Sequence, residues 1–293
     1  MTAFMNKMNS KQLFDDYRQQ LQDLYSPAEA QNIAFWLMEY FFELSRTQVL
    51  VNSPIVVDEV KQQALNEVLI RLKHHEPIQY IVGYTEFYGL RFQVQPGVLI
   101  PRPETEELVA WIIQDQANQP INMLDLGTGS GCIAVSLAKN LPQAKVQALD
   151  VSPEALQVAQ SNASHHAAKV TFIQDNLLEP QKLHQAIPDH SLDVMVSNPP
   201  YVTPAEKKQM RANVLDFEPD LALFVPQEAP LLFYKAIAQL AQQKLKSGGK
   251  LYFEINEQFG QETKELLQSM GFQEIIIRKD GFGKDRMTRA IYE

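Results

Sequence analysis

Apolar residues in the first quarter of the chain recur every three to four positions, the period of an amphipathic helix. Two stripes with this spacing are Ile33, Trp36, Leu37, Tyr40, Phe41, Leu44 and Val60, Ala64, Leu65, Val68, Leu69, Leu72. Ser26-Pro27-Ala28-Glu29 precedes the first stripe and combines a capping box with proline at the first helical position. The pattern predicts a small helical domain over residues 1–76.

Between residues 77 and 98 the pattern changes to closely spaced aromatic and β-branched residues. Glycines at 83, 89 and 97 interrupt this stretch. Such a texture is typical of a β-hairpin, so we expect residues 77–98 to link two domains. The segment Ile100-Pro101-Arg102-Pro103-Glu104-Thr105-Glu106 then leads into a helix, and its two prolines present Arg102 from a stiff loop.

Strand-like and helix-like segments alternate from residue 120 onward, which is typical of an open parallel sheet covered by helices. Strands are predicted at residues 122–125, 145–150, 170–173, 192–197, 250–255, 274–279 and 288–292. The last two strands are joined by a short connection and could pair antiparallel at one edge. We therefore predict an α/β domain over residues 99–293 with a mostly parallel seven-stranded sheet.

Composition narrows the functional classes. The 293 residues include 35 acidic and 26 basic side chains, a net charge of −9, which disfavours direct nucleic-acid binding. The single cysteine, Cys132, excludes an internal disulfide and a cysteine-based zinc site, and the six histidines lack ligand spacing. No apolar run reaches the ~18 residues of a membrane helix, and no signal peptide is evident. We expect a cytoplasmic protein without a metal.

A glycine-rich turn follows the first strand of the predicted sheet, in Asp125-Leu126-Gly127-Thr128-Gly129-Ser130-Gly131. Glycines allow a sharp turn and a close approach of the backbone to a ligand. A dinucleotide-binding turn needs its third glycine at position 132, where Cys132 stands, so the pattern favours a nucleoside without a pyrophosphate. Asp150, at the end of the next strand, is placed to bind a ribose diol, in either NAD or S-adenosylmethionine.

A second motif, Asn198-Pro199-Pro200-Tyr201, follows the buried strand at residues 192–197. An amide nitrogen is a poor nucleophile because its lone pair is delocalised into the carbonyl. The side-chain oxygen of Asn198 and a backbone carbonyl could accept hydrogen bonds from a substrate NH2 and hold that lone pair toward an electrophile. The prolines stiffen the backbone, and Tyr201 could supply a flat wall for a planar amide or base.

Taken in order, these motifs resemble those of class I S-adenosylmethionine-dependent amino-methyltransferases. With the Ile-Pro-Arg-Pro-Glu-Thr-Glu segment and the helical N-terminal region, the whole chain resembles the HemK/PrmC family. That family methylates the glutamine of the Gly-Gly-Gln motif in peptide chain release factors. The resemblance implies a Rossmann-like fold, S-adenosylmethionine as cofactor, S-adenosylhomocysteine as product, and a cytoplasmic monomer whose N-terminal domain recognises the release factor.

The resemblance also assigns site residues. Cofactor contacts are expected at Gly127, Thr128, Gly129, Ser130, Gly131, Asp150, Asp175, Asn176 and Asn198. Catalytic contacts with the substrate glutamine are expected at Asn198, Pro199, Pro200 and Tyr201. Three alternatives stay open at this point: a glutamine of a ribosomal protein as substrate, a DNA adenine-N6 methyltransferase that shares Asn-Pro-Pro-Tyr, and an NAD-dependent oxidoreductase, which the missing glycine at 132 disfavours.

Overall fold

The computed structural model describes residues 6–116 and 119–293. Its contacts divide the chain into a first unit that ends at Gly83 and a second unit, Tyr84–Glu293. This division falls inside the predicted 77–98 linker. Among the described helices, not one has the length and apolar character required to span a lipid bilayer.

The first unit combines helices with a small antiparallel sheet. Its elements are β1 (Asn6–Asn9), α1 (Ser10–Leu21), α2 (Pro27–Phe42), α3 (Arg46–Leu50), β2 (Pro54–Val57), α4 (Glu59–Lys73) and α5 (Ile78–Val82). Strands β1 and β2 pair antiparallel. The prediction of helices alone missed this sheet, because four-residue strands are too short to show a clear period.

The two apolar stripes of the first unit are largely confirmed as packing faces. Side chains buried on them are Ile33, Leu37, Leu65, Val68, Leu69 and Leu72. Ser26 caps α2, and its hydroxyl accepts a hydrogen bond from the Glu29 N–H. The prediction is wrong at Tyr40 and Val60, since Tyr40 is 46% and Val60 is 76% exposed.

The predicted hairpin occupies only the middle of residues 77–98. Strands β3 (Tyr84–Phe87) and β4 (Leu90–Gln93) pair antiparallel as expected. Residues 78–82 instead form the single turn α5, which ends where Gly83 takes a left-handed φ of 83°. The strand prediction fails there because a short, fully buried apolar run has no period that separates strand from helix.

The second unit alternates strands and helices as predicted. After the hairpin come α6 (Pro103–Gln116), β5 (Asn122–Leu126), α7 (Cys132–Asn140), β6 (Lys145–Asp150), α8 (Pro153–His165), β7 (Val170–Gln174), α9 (Lys182–Ala186), β8 (Leu192–Ser197), α10 (Ala212–Leu215), α11 (Asp220–Leu223), α12 (Leu232–Lys244), β9 (Leu245–Glu254), α13 (Gly260–Ser269), β10 (Phe272–Lys279) and β11 (Asp285–Tyr292). Single 3-10 turns lie at Glu206–Gln209 and Glu257–Phe259.

These strands form one seven-stranded sheet in the order β10-β11-β9-β8-β5-β6-β7. Strands β9, β8, β5, β6 and β7 run parallel, whereas β11 is antiparallel to both of its neighbours. The predicted fold class and the antiparallel final pair are therefore confirmed. The order reverses beside β5, and in such sheets ligands bind at the carboxyl ends of the strands next to that reversal.

Both faces of the sheet are buried. Val194 and Val196 of β8 join one apolar cluster with α6 and α7, while Met195 joins another with α12. Successive side chains of a strand point to opposite faces, so helices must cover both sides. This packing leaves only the strand ends available for a functional site.

Candidate active site

A cavity of about 310 Å³ lies at the carboxyl ends of β5, β6, β7 and β8. Most of the residues predicted from the sequence line it: Gly127, Thr128, Gly129, Ser130, Asp150, Asn176, Asn198, Pro199 and Pro200. Gly131, Asp175 and Tyr201 are not among the lining residues. The fold thus brings the glycine turn and the Asn-Pro-Pro segment, about 70 residues apart in the chain, to one site.

The three glycines of the turn after β5 have two different roles. All three have left-handed φ angles, 72° at Gly127, 56° at Gly129 and 81° at Gly131, a region that favours glycine. A Cβ at Gly127 or Gly129 would meet nothing within 4 Å, whereas one at Gly131 would lie 3.0 Å from Cβ of Ala159 in α8. The first two therefore keep the backbone open to a ligand, and the third allows the turn to pack on α8.

Strand β6 holds this turn in place. The Leu149 carbonyl accepts hydrogen bonds from the N–H groups of Gly127 and Thr128, at 2.8 and 2.9 Å. Asp150 accepts from Gly129 N–H at 2.8 Å and from Ser152 N–H at 3.0 Å. Burial raises the pKa of Asp150, and these N–H donors oppose the rise. A carboxylate can accept about four hydrogen bonds, so Asp150 retains acceptor capacity toward the cavity.

Asp125 lies beneath the turn, completely buried. One of its oxygens, Oδ2, accepts a hydrogen bond from the Thr128 hydroxyl at 2.6 Å. The other, Oδ1, has no hydrogen-bond partner in the described part of the chain. Burial raises the pKa of Asp125 to about 7. The sequence pattern includes this residue in the glycine motif and assigns it no role of its own.

The walls of the cavity fit a nucleoside. An apolar part of the wall near Asn176 is suited to a planar base and consists of Leu149, Val151, Leu177 and Leu178. Asp150 offers acceptors for the hydroxyl groups of a sugar. The space open above Gly127 and Gly129 admits a ligand close to the backbone. These residues fit the S-adenosylmethionine that the motifs imply.

Asp175 and Asn176, which follow β7, have side chains that point to different surroundings. Asn176 lines the cavity. The carboxylate of Asp175 instead accepts hydrogen bonds from Asn176 N–H at 3.0 Å and from Leu183 N–H of α9 at 2.9 Å. Asp175 therefore shapes the turn, and Asn176 is the residue of this pair that a ligand can reach.

The Asn-Pro-Pro segment is anchored at the end of β8. The Ser197 hydroxyl donates to the Leu126 carbonyl at 2.6 Å, which ties the ends of β8 and β5 together. Asn198 follows directly, and its Nδ2 donates to the Thr105 hydroxyl oxygen at 3.2 Å. Pro199 and Pro200 complete this side of the cavity.

Tyr201 does not form the wall that the sequence suggests. Its ring packs against the apolar cluster of α12, and its hydroxyl donates to Oε1 of Glu254 at 3.0 Å. Burial and the adjacent Glu254 raise the pKa of Tyr201 well above its usual range. The predicted direct contact of Tyr201 with the substrate stays a prediction, and in this arrangement its hydroxyl is engaged by Glu254 and its side chain is not part of the cavity lining.

Thr105 and Glu254 are the functional candidates missing from the predicted site. Thr105 lines the cavity, and its hydroxyl donates to Oε2 of Glu254 at 2.5 Å. Glu254 ends β9 and is 1% exposed, and burial raises its pKa. The sequence does carry a signal for Glu254, which closes a buried apolar strand as Asp150 does and could on that ground line the cleft.

An ion pair with the buried Glu218 holds the stiff loop of Arg102. Arg102 lines the cavity, and its Nη2 lies 2.7 Å from Oε1 of Glu218. Glu218 also accepts a hydrogen bond from Ile100 N–H at 3.3 Å. The next residue, Pro219, lines the cavity as well. Arg102 thus joins two segments of the cavity wall through a charge-assisted hydrogen bond.

The described residues contain no group of three or more His, Cys, Asp or Glu side chains that could hold a metal ion. The expectation of a metal-free enzyme stays a prediction.

Comparison with known proteins covers both units. Residues 105–216 match the family model described as Methyltransferase small domain, and residues 12–83 match the PrmC N-terminal domain. The chain is also similar in structure to the 16S rRNA N2 G1207 methyltransferase from T. thermophilus, with a TM-score of 0.51 and 17% identity. That match covers 72% of this chain and 50% of the other, and it shows a shared fold.

Similarity to curated sequences extends over nearly the full length. The release factor glutamine methyltransferase of Bacteroides thetaiotaomicron is 46% identical over 273 residues, which are 93% of this chain and 96% of that protein. The protein of the same name from Flavobacterium psychrophilum is 44% identical over 286 residues, 95% of this chain and 99% of that one. Identity of this extent, together with the two matching family models, shows that the chain belongs to the release factor glutamine methyltransferase family.

Proposed function

We propose that this protein transfers a methyl group from S-adenosylmethionine to the side-chain amide nitrogen of the Gly-Gly-Gln glutamine in peptide chain release factors. The observation that carries the proposal is that Asn198 and Pro199 lie in the same cavity as the glycine turn. When bound, the cofactor supplies an electrophilic methyl group on a sulfonium. The family membership and the names of the relatives support the choice of substrate.

Different residues of the cavity would bind different parts of the cofactor. Gly127–Ser130 would take the methionine and ribose side, where the open backbone of Gly127 and Gly129 allows close approach. Asp150 would accept hydrogen bonds from the ribose hydroxyls, and Asn176 lies on the apolar side suited to the adenine ring. Asn198 borders both ligands.

Catalysis then depends on positioning the substrate amide. Asn198 Oδ1 and the Pro199 carbonyl accept hydrogen bonds from the glutamine NH2, which aligns the nitrogen lone pair with the methyl group. Such alignment in a bound complex can contribute about 7–11 kcal/mol to lowering the barrier. A strong base is unnecessary, because the nitrogen is far more acidic after methylation and then releases its proton to water.

The first unit would recognise the release factor. It matches the PrmC N-terminal domain and exposes apolar side chains at Leu50, Val51 and Ile70. Apolar side chains on an exposed surface are suited to contact a partner protein. We propose a cytoplasmic protein, since termination of translation takes place in the cytoplasm, and a monomer, as the family resemblance implies.

Intact-mass analysis tests the proposed reaction. The enzyme is incubated with S-adenosylmethionine and a release factor from the same organism, and a parallel sample carries Gln→Ala in the partner's Gly-Gly-Gln motif. We expect one added methyl group on the unaltered partner and none on the variant partner. The Asn198→Ala enzyme should transfer almost no methyl while still binding S-adenosylmethionine in calorimetry.

Three results would contradict these assignments. Methyl addition to the Gln→Ala partner would place the reaction at another residue. No addition to either partner would move the substrate to a ribosomal-protein glutamine or a nucleic acid. Full turnover by Asn198→Ala would remove Asn198 from the catalytic contacts.

A further inference from the structure

The Ile-Pro-Arg-Pro-Glu-Thr-Glu segment contains a polar side chain for which the proposed reaction so far has no use. Thr105 lies in the first turn of α6, is 2% exposed and lines the cavity. It contacts Asn198, 93 positions later in the chain, and Glu254, 149 positions later. Thr105 therefore links three segments that are distant in the sequence, and one of them carries the candidate catalytic residue Asn198.

The direction of each hydrogen bond follows from which groups can donate. Burial raises the pKa of Glu254, but hydrogen bonds from Thr105 and Tyr201 oppose that rise and favour the ionised form. An ionised carboxylate only accepts, so Oε2 receives the hydroxyl hydrogen of Thr105 and Oε1 that of Tyr201. A threonine hydroxyl carries a single hydrogen. With that hydrogen directed at Glu254, the Thr105 oxygen can only accept, and its donor is Nδ2 of Asn198.

This chain of donors decides which end of the Asn198 amide faces the substrate. Because Nδ2 is directed to Thr105, Oδ1 occupies the other side of the planar amide. A substrate glutamine offers an NH2 group, which needs an acceptor. If the Asn198 amide were reversed, two NH2 groups would face each other, and the substrate would lose its hydrogen bond.

We propose that Thr105 and Glu254 are positioning residues, which fix the orientation of the Asn198 side-chain amide so that its oxygen meets the NH2 group of the substrate. This inference rests on the proposed function. It gives the Ile-Pro-Arg-Pro-Glu-Thr-Glu segment a role in catalysis: the helix that begins at Pro103 places Thr105 between Asn198 and Glu254. Orientation before the substrate arrives removes a reorganisation step from the reaction.

Three matched substitutions separate this role from a purely structural one. Thr105→Val keeps the shape of the side chain but can neither donate nor accept. Thr105→Ser restores the hydroxyl. Thr263→Val is the control, since Thr263 of α13 is equally buried and its hydroxyl has no hydrogen-bond partner among the described residues.

Methyl transfer to the release factor gives the first readout. We expect Thr105→Val to lower kcat on the order of 100-fold, the scale of a misplaced catalytic group, with little change in KM. The affinity for S-adenosylmethionine, measured by calorimetry, should stay within about twofold because the cofactor contacts are intact. Thr105→Ser should recover most of the turnover, and Thr263→Val should match the unaltered enzyme.

A second readout follows the Asn198 amide itself, without turnover. In protein labelled with 15N only at asparagine, the Asn198 side-chain signal is identified by its loss in Asn198→Ala. We expect its NH2 protons to exchange with water faster in Thr105→Val than in the unaltered protein, Thr105→Ser or Thr263→Val. The reason is that Nδ2 has lost its acceptor.

Each result bears on the inference separately from the proposed function. An unchanged Asn198 signal in Thr105→Val overturns the inference, as does a changed signal with an unchanged kcat. If the unaltered enzyme does not methylate the release factor, the proposed function fails. The Asn198 signal then decides the inference alone: faster exchange in Thr105→Val supports the fixed orientation, and unchanged exchange refutes it.

Discussion

The fold raises the pKa of the buried acidic side chains Asp125, Asp150 and Glu254. Glu254 accepts hydrogen bonds from two hydroxyl groups, one on each carboxylate oxygen. Asp125 accepts a hydroxyl hydrogen bond from Thr128 on Oδ2, and its other oxygen has no hydrogen bond of good geometry in the described chain. An unpartnered buried oxygen penalises the charged form, so ionisation of Asp125 costs the folded state free energy.

We predict that Asp125→Asn makes the protein more stable at neutral pH. The pKa of Asp125 is about 7 when folded and ordinarily 3.8, so between these values the folded state binds more protons than the unfolded state. The free energy of unfolding of the unaltered protein therefore falls as pH rises through this window. An asparagine accepts the Thr128 hydrogen bond without any charge. Its advantage should grow by a few kcal/mol, order of magnitude, between about pH 4 and about pH 7.

Urea unfolding at several pH values measures this difference. Asp23→Asn, at an exposed position, is the control for the exchange of a carboxylate for an amide. A constant difference between Asp125→Asn and the unaltered protein at all pH values would contradict the assignment.

At the scale of elements, the site is built from the ends of strands and the turns that follow them. The glycine turn lies between β5 and α7, Asp150 closes β6, and Asn198 follows β8. Each side chain or turn depends on a neighbouring element for its position. Gly131 packs so close to α8 that an added Cβ would lie 3.0 Å from the Cβ of Ala159.

We predict that Gly131→Ala lowers both stability and cofactor affinity. The new Cβ would require a left-handed conformation and would lie 3.0 Å from the Cβ of Ala159. The conformation alone costs about 1–2 kcal/mol, and the overlap adds to it. Gly271→Ala is matched, with a φ of 84° and nothing within 4 Å of its Cβ. Equal losses of unfolding free energy in the two variants would show that the contact with α8 has no effect.

At the scale of the whole molecule, exposed apolar side chains are distributed unevenly. The first unit carries seven of the twelve exposed large apolar residues in the described chain, although it is the smaller unit. Three of the five in the second unit, Val151, Leu178 and Leu221, line the cavity. The first unit is therefore where we expect the partner protein to bind.

We predict that the double substitution Leu50→Ser and Val51→Ser raises KM for the release factor by roughly tenfold. These side chains are 58% and 70% exposed, and loss of about 1.4 kcal/mol of contact corresponds to that factor. The affinity for S-adenosylmethionine and kcat should not change. Ile276→Ser alters a 41% exposed residue of β10 in the second unit and should leave KM as it is. Steady-state kinetics with release factor as the varied substrate would contradict the idea if both variants behaved alike.

Local patterns in the sequence determined the sheet architecture and the set of residues that can form the site. Alternation of strands and helices indicates the parallel sheet because each segment is long enough to show its own period. The glycine turn and the Asn-Pro-Pro segment are recognisable because they need particular residues at adjacent positions. Parallel strands then bring Gly127, Asp150 and Asn198 together, since their carboxyl ends meet at one edge.

Only the tertiary structure decided which of these side chains face the cavity. Tyr201 belongs to the motif, yet it turns toward Glu254, and Asp175 turns toward the backbone amides of Asn176 and of Leu183 in α9. The contacts of Thr105 with Asn198 and Glu254 have no local pattern, because they join residues 93 and 149 positions apart. A side chain's direction depends on the donors and acceptors that distant elements bring next to it. The spacing of residues along the chain does not show which donors and acceptors these are.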